Sequence, residues 1–148
     1  MKRKSMVVIG MVVGCLMMFA GAAWAGVIPG TPNGTITVGN LVWLKNAGCL
    51  GKMNWNDATA RAKSLKSGDC GLTDGSKAGD WRLPTIDELV SISAMRLQFS
   101  NVQADNYWSS TTIYYVDECA WGVPMGGGSV EFYNRGYAFY VLPVRSGP

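Results

Sequence analysis

The sequence contains no histidine. Ser-His-Asp and Cys-His catalysis, histidine-ligated zinc and imidazole pH switching all need that side chain, so each is excluded. Clustered basic charge is missing too. The formal charge is +3, but three of the 13 basic residues are Lys2, Arg3 and Lys4, and beyond residue 25 the remaining basic residues only balance the 10 acidic ones. Without a run of Lys and Arg there is no electrostatic footprint for nucleic acid, so none is expected as a partner. Internal repeats are also lacking. What is present is apolar and aromatic: 48% of the 148 residues are hydrophobic, with 6 Trp and 6 Tyr, which suits one modest domain and is too apolar for disorder.

Lys2, Arg3 and Lys4 open a positive segment, residues 6–23 are almost unbroken in their apolarity, and Ala23-Trp24-Ala25 supplies a cleavage signal before Gly26. Residues 1–25 read as a secretory signal peptide, which leaves an exported chain, periplasmic or extracellular, from Gly26. Two alternatives stay open. The apolar stretch is close to the roughly 20 residues that span a bilayer, so an uncleaved segment would be the membrane contact. Val12-Val13-Gly14-Cys15 also resembles a lipoprotein processing box, although the greasy residues 16–20 make a poor tether.

Export makes disulfides admissible. Once Cys15 leaves with the signal, Cys49, Cys70 and Cys119 remain. Cys49 and Cys70 flank one expected helix beside Gly48, Gly51 and Gly71, so they are expected to pair. Cys119 is then left as a thiol, expected to be a small buried group in a strand. Asp117 and Glu118 put negative charge next to it, which argues against an activated thiolate.

Residues 26–34, with Pro29, Pro32 and Asn33-Gly34, read as an irregular leader, so that residues 26–40 hold the leader and a first strand and residues 41–148 the domain proper. Residues 35–38 and 41–45 suggest a hairpin about Gly39-Asn40. Asn54 can cap a first helix, with Asp57 three residues on, Ala58, Ala62 and Leu65 at helical spacing, and Gly68 as its stop. Thr85 and Glu88 form a capping box for a second helix whose apolar stripe is Leu89, Ile92 and Met95/Arg96. After Asn106 the period becomes that of strands at residues 107–112, 120–124, 129–133 and 139–144, with Gly126-Gly127-Gly128 as a turn. Two helices followed by a strand-rich half imply an α+β domain with antiparallel sheet.

Several blocks then fall in a distinctive order: Leu41-Val42-Trp43-Leu44, Asn54-Trp55, Cys70-Gly71-Leu72-Thr73-Asp74-Gly75-Ser76, Gly79-Asp80-Trp81-Arg82-Leu83-Pro84-Thr85, Tyr107-Trp108-Ser109-Ser110, Ala120-Trp121 and Pro143-Val144-Arg145. In these the chain resembles the bacterial Lcl C-terminal domain family, named for a collagen-like adhesin, over residues 41–147. The resemblance implies a C-type-lectin-like fold related to the formylglycine-generating enzymes, with two helices packed on a small twisted antiparallel sheet. It also implies surface or periplasmic binding and adhesion. No collagen-like repeat is present, so the chain departs from the adhesin in that respect.

Within those blocks the residues read as scaffold. Trp81 fills the core, Arg82 pairs with Glu88 or Asp80, Arg145 pairs internally, and Trp43, Trp55, Trp108 and Trp121 contribute buried area. The candidate ligand-binding residues lie outside the blocks: Tyr114, Tyr115, Asp117 and Glu118 between one pair of strands, and Tyr133, Asn134, Arg135 and Tyr137 between another. Tyrosine with Asn, Asp and Arg is the composition of recognition loops, and aromatic faces stack on sugar rings. Asp105-Asn106 and Asp117-Glu118 lack calcium-loop spacing, so no metal is expected. A lone Cys119 does not supply the cysteine pair of the related oxidases, so neither catalysis nor a cofactor is expected. The expectation is an exported binding module for a glycan or a surface protein. The alternative is an accessory structural or assembly protein of the envelope.

Overall fold

A computed structural model describes residues 27–28 and 32–148. The expected signal segment and its cleavage site lie outside these residues. Among the described residues no helix is long and apolar enough to cross a membrane.

The elements follow in the order β1 (Val27–Ile28), β2 (Thr35–Val38), β3 (Leu41–Leu44), β4 (Lys52–Met53), α1 (Trp55–Ser64), α2 (Ile86–Ser93), a 3-10 turn at Arg96–Gln98, β5 (Asn106–Ile113), β6 (Val116–Pro124), β7 (Glu131–Asn134), β8 (Phe139–Tyr140) and β9 (Val144–Ser146). The α+β class holds, but the strands form two sheets rather than one. The first is antiparallel in the order β1-β2-β3-β9, and the second runs β4-β8-β5-β6-β7. The second sheet is mixed, because β8 pairs parallel to β5 at Tyr107–Tyr140. After β7 the chain crosses the sheet instead of turning back beside it, and strand alternation alone carries no information about such a crossing.

Two further corrections concern strand limits. Val27 and Ile28, expected to be irregular, pair with Val38 and Thr37. Residues 139–144, expected as one strand, are divided between β8 in one sheet and β9 in the other.

Local signals explain both helices. Asn54 caps α1 by accepting the Asp57 N–H at 3.0 Å, and its amide donates to the Asp57 carboxylate at 2.7 Å. Thr85 and Glu88 make the full capping box of α2. Met95 lies just past the end of α2 and is half-buried, so the buried stripe is Leu89 and Ile92.

The helices lie on opposite faces of the five-stranded sheet. Neighbouring strand residues point to opposite faces: Trp108 packs with Ala58 and Ala62 of α1, whereas Tyr107 belongs with Leu89 and Ile92 of α2 and with Trp43 and Leu44 of the first sheet. Trp43, Trp81 and Trp108 are fully buried, as expected. Trp55, the first residue of α1, and Trp121, on β6, are only half-buried. Cys49 and Cys70 form the expected disulfide, with Cα atoms 5.8 Å apart. Cys119 is free and half-buried rather than enclosed; it lies on β6 opposite Asn134 of the edge strand β7.

Candidate functional site

Hydrogen bonds tie the sequence blocks to one another. The backbones of Arg82 and Val144 exchange both N–H groups at 2.9 Å, which joins the Trp81-Arg82 block to the terminal Pro143-Val144-Arg145 block. The Trp55 indole donates to the Ser109 carbonyl at 2.8 Å, the Trp108 indole to the Met53 carbonyl at 3.0 Å, and the Ser109 hydroxyl to the Trp121 carbonyl at 2.8 Å. The Ser110 N–H reaches the Pro84 carbonyl at 2.7 Å. These polar groups serve the scaffold.

The two arginines of the blocks, Arg82 and Arg145, are paired as well. Arg82 meets Glu88 through two bonds of 2.8 Å, and Glu88 also accepts the Thr85 N–H at 2.8 Å. The Arg82 hydrogen bond therefore holds the Glu88 carboxyl below its ordinary range, with the Thr85 backbone helping against partial burial. Arg145 reaches Asp74 at 3.1 Å and lies over the Trp81 ring at 5.3 Å. Burial would raise Asp74, but hydrogen bonds from Ser76 and Arg145 outweigh it, and the net direction is down.

The candidate recognition residues stand outside this network in two groups. Tyr114 and Tyr115 form the β5–β6 turn, 88% and 89% exposed, and contact each other edge to face at 5.0 Å. Asp117 and Glu118, expected in a loop, are exposed residues of β6, because the turn is only two residues long. The second group is built on the β7–β8 crossing. Tyr133 and Asn134 close β7, and the Arg135 N–H bonds the Glu118 carbonyl at 2.7 Å, which brings the crossing to the end of β6. The Arg135 carbonyl in turn accepts the Trp55 N–H at the start of α1, and its guanidinium lies 4.3 Å from the centre of the Trp55 ring.

Tyr137 is parallel to Phe139 at 6.1 Å and edge-on to Tyr133 at 6.4 Å, yet remains 59% exposed. Beside it a cavity of about 380 Å³ is lined by Asn134, Gly136 and Tyr137. Asn134 turns its carbonyl oxygen to the Gly136 N–H at 2.9 Å, so its amide donors have no partner among the described residues.

A model of the Lcl C-terminal domain matches residues 37–145, most of the chain. The chain belongs to the Lcl C-terminal domain family. A search of the curated proteins finds no match. Membership points to a bacterial surface or adhesin-related module. In this Lcl C-terminal domain the family blocks hold the two sheets and helices together, while the tyrosine groups are carried at their edge.

Sequence reasoning did not find Phe132, which is 53% exposed and edge-on to Trp121 at 5.6 Å, because nothing in the alternation of β7 marks it as a sheet edge. The Trp55–Arg135 stack was also hidden, since its partners are far apart in the chain. Among the described residues no cluster of three or more Cys, Asp or Glu side chains could hold a metal.

Proposed function

We propose that this domain is an exported, non-catalytic binding module that recognises a glycan, or a protein, at the bacterial surface or in the periplasm. The observation that carries this reading is the Tyr137 ring. It is held on Phe139 and Tyr133, open on its outer side, and set beside the cavity with Asn134. A sugar ring stacks on the open face, while the Asn134 amide and the Arg135 guanidinium donate to its hydroxyls. The disulfide and the family are compatible with a location outside the cytoplasm. A C-type-lectin-like arrangement is supported by the pairing of β3 near the start of the domain with β9 at its end, which closes the chain on itself.

The crossing is the core of this site, with Glu118 joined to it through the Arg135 backbone. Tyr114 and Tyr115 pack edge to face on one another at the β5–β6 turn, and this reading does not use them. A glycan array probed with the purified protein tests the reading. Hits that Tyr137→Ala removes, with unchanged melting temperature, are expected. A blank array, or hits indifferent to Tyr137→Ala, would defeat the glycan reading.

A further inference from the structure

The two ends of the β5–β6 hairpin differ chemically. At the turn stand Tyr114 and Tyr115, with Val116 beside them 42% exposed. Asp117 and Glu118 follow, and neither carboxylate has an ion-pair partner among the described residues. At the far end Asn106 pairs with Pro124, and two adjoining cavities of about 290 and 150 Å³ share Arg96 and Met125 in their walls. The larger is mostly apolar, with Leu97, itself 89% exposed, Phe99 and Met125, whereas the smaller is as polar as it is apolar, with Pro124 and Val130 beside Ser93. Arg96 is the one charged residue lining either cavity, and it too lacks an ion-pair partner among the described residues.

We infer that this groove receives the Tyr114-Tyr115 turn of a second copy of the chain, whose Asp117 or Glu118 meets Arg96. The match is of kind on both sides. Two adjacent rings followed by two free carboxylates complement an apolar cavity with exposed Leu97 on its rim and one free guanidinium beside it. The desolvated rings supply the affinity and the ion pair sets the orientation.

The turn and the groove are different surfaces at opposite ends of one hairpin. A strand of 8 residues, at about 3.4 Å each, separates them by roughly 25 Å. The contact is therefore heterologous and runs head to tail, closing into a ring if the rotation allows and extending as a filament if it does not. Each added copy brings another Tyr137 platform, so a weak single site gains avidity without any new ligand contact. This assembly goes beyond the proposed recognition and does not depend on it.

Sedimentation velocity over a concentration series, on protein purified from the cells that make it, provides the test with two variants. One is Tyr114→Ser with Tyr115→Ser, which disables the turn. The other is Arg96→Glu with Leu97→Ser, which disables the groove. All four side chains are exposed, so both variants should keep the wild-type melting temperature. Wild type is expected to grow in mass with concentration and each variant to stay monomeric. Their equimolar mixture should form a dimer and nothing larger, because each variant retains the surface the other has lost. That recovery also proves both variants folded. A wild type that stays monomeric, a variant that still assembles alone, or a mixture that recovers nothing would overturn the inference. None of these outcomes bears on the glycan array.

Discussion

Glu88 accepts three hydrogen bonds at once, from both terminal nitrogens of Arg82 and from the Thr85 N–H, so one carboxylate fixes the start of α2 and the strand-like segment before it. Glu88→Ala should lower stability by about 0.5–2 kcal/mol, the usual range for a lost cap, measured by urea unfolding. The same pairing gives a pH dependence. Glu88, Asp74 and Asp105 all have folded values depressed below their ordinary ones, Asp105 chiefly through Lys52. Depressed acids stabilise fully above the unfolded carboxylate range, about 3.9–4.3, and that contribution is lost as pH falls through the lower folded values. The melting temperature should therefore hold steady from neutrality down to about pH 5 and fall below it. Glu88→Gln should fall less steeply over the acid limb. An equal slope for the variant would mean that Glu88 is not among the groups responsible.

Between elements, the disulfide joins the connection after β3 to the loop after α1, two segments with little regular structure of their own. Cys49→Ser with Cys70→Ser should cost about 3 kcal/mol in denaturant unfolding, the loop-closure value for a span near this length. The same corner carries a backbone constraint. Gly34 has φ +82°, and a Cβ there would lie 2.5 Å from the Gly71 carbonyl oxygen, one residue from Cys70. Gly34→Ala should therefore lower the melting temperature markedly, since both the conformation and the space are wrong for a side chain. A variant as stable as wild type would show that the loop can move away from residues 71–72.

For the whole molecule, the separation of the tyrosine groups predicts separable losses. Tyr137→Ala should weaken glycan binding at least tenfold, roughly 1.4 kcal/mol, and leave self-association intact. Tyr115→Ala should do the reverse: binding by single copies is kept and assembly is lost. Glycan binding should also survive moderate salt, because stacking is not screened as charge attraction is. If Tyr115→Ala removed binding in dilute monomeric protein, the two groups would form one surface after all.

Signals that act within a few residues could be read directly from the sequence. The caps at Asn54 and Thr85, the Arg82–Glu88 pair and the hairpin about Gly39-Asn40 each depend on neighbours close in the chain, and each stands in the structure. The Cys49–Cys70 bridge spans a separation of 21, but with one helix between flexible ends it was also within reach. Which strands lie side by side was not. The division into two sheets, the parallel β5–β8 pair and the edge position of β7 depend on contacts between distant segments, to which alternation is blind. Exposure follows from that topology. Trp55, Trp121 and Cys119 have the composition of core residues yet stay half-buried: Trp55 meets the Arg135 guanidinium, and Trp121 and Cys119 lie on β6 beside the edge strand β7. The tyrosines were recognisable as a class from composition. Their division was decided by the crossing from β7 to β8, which places Tyr137 on Phe139, and by the two-residue β5–β6 turn, where Tyr114 and Tyr115 project and pack on each other.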